Sequence, residues 1–399
     1  MKIYWLSNAP HSASGYGQQT DLWTQLMVRD GHEVVIRANF GLQGAPMRDG
    51  IGRLVLPTGY NEHGDDLTVL DWQTHKPDAG VVLYDAWVFS KQSFSIPLTY
   101  YSPVDHAPIP ALVAQRLGEA RHVWAMSRYG EREMRQAGLD PWYVPHGINT
   151  RVFTPVDRQA ARAKFGLKDE QFFAVSVAAN KGFPDRKNIR GMVKAWAEFV
   201  KLHPDALLHI HANSLPNHHG LDLTDLRAFY GLTAENLRFP EIYKLINGSY
   251  RPEDMNTLYN AADVFLLPSM GEGFGIPVIE AQAAGCPVIV SDFTAQTELC
   301  GAGWRCEVDP LDDCEFTLQG SEQCRVKPSV ILNKLIQAFE ARHDSGLREK
   351  ARAFGLTYEA ADLWEKYMLP ALRGAAGVSE PVKLPPVAAE PVPELEPVP

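Results

Sequence analysis

The chain has 399 residues, of which 45% are hydrophobic and 22% are charged. A single hydrophobic core stops growing below this length, so the sequence predicts two domains. The formal net charge of −10 argues against a nucleic acid or an anionic membrane surface as the main partner. No apolar run approaches the length of about 18 residues that a membrane span needs, and no secretory leader is visible, so we expect a cytoplasmic protein.

The first part of the chain alternates strands and a helix. Residues 2–7 (KIYWLS) form a short apolar run that predicts a buried parallel strand, and residues 18–31 (QQTDLWTQLMVRDG) carry an apolar stripe that ends at a glycine. Residues 32–40 (HEVVIRANF) predict the next strand, which completes a βαβ unit. Three further strands are expected in the segments 80–89, 97–104 and 122–127.

A second series of strands follows a segment that lacks helical periodicity, VPHGINTRVFTP (144–155). The pattern predicts a helix over 189–202 and strands over 172–180, 206–213, 262–269 and 286–292. Two alternating series of this kind predict an α/β protein with two doubly wound domains that bind ligand at the carboxyl ends of their strands.

These patterns give a domain division. We expect one doubly wound domain over 1–152, a second over 153–354 and a closing helix within 355–373 that packs back on the first domain. The remaining residues, 374–399, contain seven prolines and four glutamates, which predicts a disordered tail, with a docking peptide as the alternative.

The five cysteines are Cys286, Cys300, Cys306, Cys314 and Cys324. Their spacing lacks the short paired intervals of zinc sites, and an odd number in a cytosolic protein is typical of reduced thiols. We therefore expect isolated thiols, with a local metal or redox cluster as the alternative.

The most informative stretch is SMGEGFGIPVIEAQAAGCPVIVSD (269–292). It predicts a strand, a glycine-rich turn and a helix, which together place free backbone N–H groups where an anion binds. Gly273 and Gly275 allow the backbone to approach a diphosphate closely. Glu272 lies in the turn and Glu280 one turn into the helix, within reach of a ribose hydroxyl pair. Carboxylates beside phosphates imply a ligand that also carries hydroxyls, such as a nucleotide sugar.

This stretch resembles the E-x₇-E region of the retaining glycosyltransferases of family 4, which have the GT-B fold. The likeness extends to other segments: SGYGQQ resembles the amino-terminal glycine loop, DRKN the basic donor segment, VPHGINTRVFTP the interdomain segment and LYNAADVFLLPS the approach to the donor loop. It covers roughly residues 1 to 370 and leaves out the tail and the segment 300–328. The resemblance implies two Rossmann-like domains that face each other across a cleft. It makes 1–152 the acceptor-side domain and 153–354 the nucleotide-sugar-binding domain.

The resemblance also assigns donor-binding residues, which are Gly15, Gly17, Lys181, Lys187, Glu272, Gly273, Phe274, Gly275 and Glu280. Lys181 and Lys187 match the family's two basic positions, although the first is more commonly arginine. For their neighbour Arg186, we expect a side chain that points to solvent.

Asp105 and His106 follow the strand 97–104 and are the expected catalytic contacts, together with Glu272. Asp85 also ends a strand and is a weaker candidate on the acceptor side. We expect His146 to be structural. We do not expect His209, His211, His218 and His219 to be metal ligands, because no cysteine or acid completes a clear set with them.

The resulting hypothesis is a metal-independent glycosyltransferase that needs no cofactor beyond its nucleotide-diphosphate sugar and retains the anomeric configuration. No D-x-D motif stands at a suitable strand end, so the lysines and backbone N–H groups would neutralise the phosphates. A small molecule, a glycan or a protein is the favoured acceptor, and a modified nucleobase stays open. The alternatives are a GT-B epimerase and a non-catalytic nucleotide-sugar-binding protein.

Overall fold

The computed structural model describes residues 1–61, 63–90 and 95–377. The strands are β1 Lys2–Ser7, β2 Glu33–Ala38, β3 Met47–Arg48, β4 Leu54–Leu56, β5 Ala79–Leu83, β6 Leu98–Ser102, β7 His122–Ala125, β8 Trp142–Tyr143, β9 Phe173–Val177, β10 Leu207–His211, β11 Leu237–Arg238, β12 Val264–Leu267, β13 Val288–Ser291, β14 Gly303–Cys306, β15 Cys314–Phe316 and β16 Glu322–Cys324. The α-helices are α1 Gly15–Arg29, α2 Thr68–His75, α3 Ala111–Gly118, α4 Arg128–Gln136, α5 Arg158–Lys164, α6 Ile189–Leu202, α7 Leu223–Phe229, α8 Ile242–Ile246, α9 Pro252–Ala261, α10 Ile276–Ala283, α11 Gln296–Leu299, α12 Pro328–Glu340, α13 Ser345–Leu356, α14 Ala360–Leu363 and α15 Leu369–Ala375.

Two sheets organise the described chain. The amino-terminal sheet has the order β3-β4-β2-β1-β5-β6-β7-β8, and the carboxyl-terminal sheet has the order β11-β10-β9-β12-β13-β14. Within these two sheets, every pair of neighbouring strands is parallel except β3–β4. The strand order reverses between β1 and β5 in the first sheet and between β9 and β12 in the second. Ligands of doubly wound sheets bind at such reversals, beyond the carboxyl ends of the strands.

Burial explains why these segments form strands. Ile3, Tyr4, Trp5 and Leu6 of β1 are all fully buried, which is typical of a parallel strand covered by helices on both faces. The predicted strand over 80–89 is correct only as far as Leu83, because a one-turn helix follows it. The predicted helix 189–202 is confirmed as α6.

The chain passes between the two sheets at two places that lie side by side. Ile148, in the first crossing segment, forms an isolated parallel bridge with Glu359, in the second. The Ile148 N–H donates to the Tyr358 carbonyl, and the Ala360 N–H donates to the Ile148 carbonyl, each at 2.9 Å. The Thr150 backbone N–H and hydroxyl both donate to the Glu359 carboxylate, at 2.9 and 2.6 Å. We refer to these paired segments as the crossing pair.

The last helical run returns to the amino-terminal sheet. The indole N–H of the fully buried Trp364 donates to the Asp30 carboxylate at 2.7 Å. Helix α15 continues to Ala375, so Gly374 and Ala375 are helical. The prediction that these two residues belong to a disordered tail is wrong. The rest of the predicted tail, from residue 378, lies outside the described residues, and the domain boundaries stay a prediction.

The cysteine prediction is wrong for one pair. Cys314 and Cys324 form a disulfide across the hairpin of β15 and β16. The antiparallel register places them directly opposite each other, a proximity that their spacing along the chain does not reveal. Cys286, Cys300 and Cys306 are free, as expected.

No helix within the described ranges is both long and apolar enough to cross a membrane.

Candidate active site

The loop from Ser269 to Gly275, which we call the donor loop, joins β12 to α10. Gly275 precedes the helix with a φ of 118°, a left-handed conformation that favours glycine. Pro277 lies in the first turn of α10, where its missing N–H leaves no hydrogen bond unmade. The donor loop therefore leads from the carboxyl end of a buried parallel strand to the amino terminus of a helix.

Two further glycines of the donor loop allow a loop of the other sheet to approach. This is the segment Pro103–Pro108, which follows β6 and which we call the acceptor-side loop. A Cβ on Gly271 would overlap the Asp105 carbonyl oxygen, and a Cβ on Gly273 would overlap Pro103. These two glycines thus have a packing role, and neither adopts the left-handed conformation of Gly275.

Glu272 lies at the centre of an ion-pair cluster. Its carboxylate pairs with Lys187, and its Oε2 lies 3.7 Å from the Arg186 guanidinium. Burial alone would raise the pKa of Glu272, but the positive charges of Lys187 and Arg186 outweigh it and lower the pKa. Burial, and then the charge of Arg186, lower the pKa of Lys187. Glu272 is therefore held ionised in a buried position.

Arg186 links this cluster to the acceptor-side loop. Its guanidinium lies 3.3 Å from Asp105 Oδ2 and also donates to the Gly271 carbonyl. The expectation that Arg186 points to solvent is wrong, because carboxylates on both loops attract its side chain. Its fork-shaped donor group suits this bridging position better than a lysine would.

Asp105 and His106 form a hydrogen-bonded pair. His106 Nδ1 lies 2.7 Å from Asp105 Oδ1, and the His106 side chain is buried. The pKa of Asp105 is lowered, because the hydrogen bond from His106 and the charge of Arg186 outweigh the effect of burial. An ionised carboxylate only accepts hydrogen bonds, so His106 Nδ1 is the donor, and a neutral His106 carries its lone pair on Nε2.

Asp85 lies beside this pair. It follows β5 at the strand-order reversal, and the Tyr16 hydroxyl donates to its Oδ2 at 3.0 Å. Burial and the nearby charge of Asp105 raise the pKa of Asp85. Tyr16, the aromatic residue of SGYG, is a site neighbour that the sequence alone did not single out.

The remaining donor-binding candidates differ in their surroundings. Lys181 is exposed. A Cβ on Gly15 would lie 3.5 Å from Ile276 at the start of α10, so Gly15 faces the donor side. Gly17 lies in the first turn of α1, where a Cβ would overlap Ser12. Phe274 is buried against His146, with ring centroids 5.2 Å apart, so a donor contact at this position would use the backbone. These four assignments stay predictions.

Glu280 is buried inside α10. The Tyr259 hydroxyl donates to Glu280 Oε2 at 2.9 Å, and burial raises the pKa of Glu280 to about 7. The two glutamates of the motif thus differ: cations hold Glu272 ionised, whereas burial favours the protonated form of Glu280. The ribose-binding role of Glu280 stays a prediction.

Three further histidines, His146, His209 and His211, are buried core residues. Burial lowers the pKa of His146 to about 3, and the neutral ring lies 2.7 Å from the Tyr101 hydroxyl. Burial also lowers the pKa of His209 to about 3 and that of His211 to about 4. Across the part of the chain that the structure describes, no three His, Cys, Asp or Glu side chains are placed to hold a metal ion together.

Sequence reasoning missed one connection between the two halves of the site. Glu298 accepts the backbone N–H groups of Arg128 and Tyr129, at 2.9 and 3.0 Å, at the start of α4. A carboxylate at a helix amino terminus is favourable, but here the partner comes from the other sheet, about 170 positions along the chain. A sequence signal for such a distant cap does not exist.

Residues 157–304 match the family described as Glycosyl transferases group 1. These residues form a glycosyl transferases group 1 domain. A D-inositol 3-phosphate glycosyltransferase of Nocardia farcinica is 32% identical over 37% of this chain and 32% of its own length. A GDP-mannose-dependent monoacylated alpha-(1-6)-phosphatidylinositol monomannoside mannosyltransferase of Corynebacterium glutamicum is 30% identical over 41% of this chain and 42% of its own length. The chain thus spans less than half the length of these curated relatives.

Solved structures resemble the glycosyl transferases group 1 domain together with the amino-terminal sheet. Sucrose-phosphate synthase from Thermosynechococcus elongatus is similar with a TM-score of 0.74 and 17% identity, over 95% of this chain and 100% of its own. The Anabaena protein HepE, solved with UDP-glucose, has a TM-score of 0.66 and 15% identity, over 92% of this chain and 98% of its own. The predicted GT-B fold, with two Rossmann-like domains facing across a cleft, is confirmed.

Proposed function

We propose that this protein is a glycosyltransferase that moves a sugar from a nucleotide-diphosphate sugar to an acceptor hydroxyl with retention of configuration. One observation carries the proposal: Glu272, Arg186 and Lys187 of the carboxyl-terminal domain meet the Asp105–His106 pair of the amino-terminal domain at the cleft. Cations beside carboxylates suit a ligand with both phosphates and hydroxyls.

The donor side accounts for departure of the nucleotide. Lys187, Lys181 and the free N–H groups at the start of α10 would hold the diphosphate. As the bond from the sugar C1 to the phosphate oxygen breaks, negative charge develops on the diphosphate, and fixed positive groups stabilise it. A relative of this chain is named as GDP-mannose-dependent, and a structural neighbour was solved with UDP-glucose, so both bases belong in a donor screen.

The acceptor side accounts for attack. The acceptor oxygen forms its bond to C1 on the face from which the diphosphate leaves, and the acceptor proton passes to the departing phosphate oxygen. Asp105 orients His106, whose Nε2 would contact the sugar as charge develops. Asp85 and Tyr16 lie beside this pair and would bind acceptor hydroxyls. A small molecule, a glycan or a protein is the proposed acceptor class.

Metal independence is part of the proposal, because Lys181, Arg186 and Lys187 supply three positive charges within seven consecutive residues. Turnover should survive EDTA at a concentration that removes free divalent cations. Full loss on chelation, with recovery on addition of Mg²⁺ or Mn²⁺, would contradict this part of the proposal.

The proposal as a whole is tested by incubating the protein with a panel of UDP- and GDP-sugars. Transfer or slow hydrolysis is expected with at least one donor, and NMR of the released or transferred sugar should show the anomeric configuration of the donor. Conversion of one nucleotide sugar into its epimer would support an epimerase instead. Tight binding without turnover would support a non-catalytic nucleotide-sugar-binding protein.

A further inference from the structure

The hairpin of β15 and β16, residues Cys314–Cys324, touches both loops of the candidate site. It lies beyond the residues that match the glycosyltransferase family, which end at residue 304. Its strands have three residues each and form a separate two-stranded sheet. We call it the disulfide hairpin, because Cys314 and Cys324 join its two strands.

One end of the disulfide hairpin pairs with the acceptor-side loop. Ala107 and Glu322 form an isolated antiparallel bridge in which the Ala107 N–H donates to the Glu322 carbonyl at 3.1 Å and the Glu322 N–H donates to the Ala107 carbonyl at 3.3 Å. The buried Ser321 hydroxyl donates to the Pro108 carbonyl. The hairpin thus adds a short strand alongside the residues that follow His106.

The other end of the hairpin pairs with the donor loop. The Cys324 N–H donates to the Met270 carbonyl at 3.1 Å. Between the two contacts lies Gln323, which is 3% exposed and whose Nε2 donates to the Asp105 carbonyl at 3.1 Å. A Cβ on Gly271 would lie 3.2 Å from the same Nε2, so the amide occupies the point where the two loops cross.

We propose that Gln323 and Ser321 are positioning residues of the transfer reaction, which set the Asp105–His106 pair against the donor loop. The inference rests on the proposed function. The hydrogen bonds of the two side chains go to the backbone and not to the Asp105 carboxylate or the His106 ring: Gln323 donates to the Asp105 carbonyl and Ser321 to the Pro108 carbonyl. The pair is consequently fixed relative to Glu272 by contacts that run through the hairpin and not only by the charge of Arg186.

The hairpin is built firmly enough for this task. Two three-residue strands alone are marginally stable in water, but here a covalent bond joins their ends at Cys314 and Cys324. Arg325 anchors the base: its guanidinium lies 3.3 Å from Glu315 and donates to the Asp185 carbonyl at 3.4 Å. Asp185 immediately precedes Arg186, so the hairpin also contacts the segment that carries the site's cations.

The test compares Gln323→Met, which keeps the side-chain volume but loses the amide donor, with Gln319→Met in the exposed turn of the same hairpin. With the best donor of the panel, Gln323→Met should lower kcat by about 10-fold, since a small misplacement of reacting groups is costly, and leave the donor KM within about two-fold. Hydrogen exchange of the 105–109 peptide should be faster in Gln323→Met than in wild type. Gln319→Met should match wild type in every measurement.

Ser321→Ala is the second variant and should change kcat and exchange in the same direction by a smaller amount. If kcat of the folded Gln323→Met and Ser321→Ala proteins equals that of wild type, or if exchange of the 105–109 peptide is unchanged, the positioning role is refuted. A lower melting temperature with normal kcat would also refute it, because it would show a purely structural role. Absence of transfer by the wild-type protein would refute the proposed function itself, which keeps the two failures distinct.

Discussion

The donor loop and the acceptor-side loop meet at the cleft, but they are built differently. The ends of the donor loop are set by its own neighbours in sequence: β12 ends before it, Gly275 turns the chain, and α10 begins after it. Arg186 and Cys324 add hydrogen bonds to its middle, at the Gly271 and Met270 carbonyls. The acceptor-side loop has no helix directly behind Asp105 and His106. Its position depends on Arg186 and Gln323, which lie about 80 and 220 residues further along the chain.

The difference separates two kinds of functional residue. Where local backbone geometry creates the site, as at the helix start after Gly275, the chemistry can be inferred from a short stretch of sequence. Where distant side chains create it, as at Asp105, only the residue type and its strand-end position are visible. The comparison also gives an expectation: donor-loop changes should alter binding, and acceptor-side changes should alter turnover.

The largest effect is expected at His106. His106→Ala should lower kcat by about 10²-fold or more, because a contact that strengthens as charge develops lowers the barrier more than it tightens substrate binding. The affinity for UDP or GDP, measured by calorimetry, should be nearly unchanged. The exposed His343 provides the control variant, His343→Ala. Normal turnover, or a loss confined to nucleotide binding, would place His106 outside the acceptor side and make Asp105 the next residue to test.

Glu280 tests the contrast within the donor motif through stability. Its pKa is about 7 in the folded protein against a usual 4.5, so its contribution to stability is fully present below about pH 4.5 and is lost as the pH rises to 7. The lost contribution is about 3 kcal/mol, because each unit of difference between the folded and unfolded pKa values of Glu280 corresponds to about 1.4 kcal/mol. Glu280→Gln should not lose stability in this way. In urea unfolding, its free energy of unfolding should therefore rise relative to that of wild type between pH 5 and pH 8. Identical pH profiles for the two proteins would contradict the buried, protonated state.

Lys187 tests the binding half of the comparison. Lys187→Ala should weaken UDP or GDP binding by about 10-fold to 100-fold, the range for loss of a charged hydrogen bond. The exposed Lys201, which pairs only with Glu198 on its own helix, gives the control Lys201→Ala. If Lys187→Ala binds the nucleotide diphosphate as wild type does, the cluster around Glu272 is structural and the donor assignment fails.

The smallest effect is expected at the disulfide. Cys314→Ser, or reduction of the wild-type protein, should lower kcat by only a few-fold, because Gln323 and Ser321 keep their hydrogen-bond partners while the hairpin loses a constraint on its flexibility. Nucleotide diphosphate affinity should stay constant. Cys286→Ser, at a buried free thiol outside the hairpin, is the matched control. A reduced protein with unchanged kcat would show that the strand contacts suffice on their own.

The sequence predicted the fold well because its signals are local. The apolar run 2–7 and the amphipathic segment 189–202 correspond to β1 and α6 with the same bounds. The disulfide hairpin was not predicted, because its strands are too short to show alternation and carry exposed side chains such as Phe316. Helix α4 was likewise missed, since its nine residues bury only two large apolar side chains, those of Tyr129 and Met134.

The residues of the candidate site also fall into two groups, those that the sequence identified and those that it did not. The resemblance led to Glu272 and Lys187, which the structure brings into contact, although their roles stay predictions. Arg186 was assigned to solvent because a run of charged residues gives no direction for any one of them. The contacts of Gln323 could not be predicted from the sequence, since a lone glutamine in a polar segment is typical of an exposed loop. Contacts of this kind arise only when two distant loops cross.

The crossing pair of Ile148 and Glu359 has a mechanical consequence. Two connections placed far apart would restrict rotation of the domains about every axis. Two connections placed side by side, as here, leave rotation about one axis and so act as a hinge. The backbone hydrogen bonds along the pair resist shear and twist but oppose swinging about its axis only weakly. Opening of the cleft would then separate the donor loop from the acceptor-side loop and release the contacts of Arg186 and Gln323 with Asp105. Ligand could enter and leave while the crossing pair stays intact.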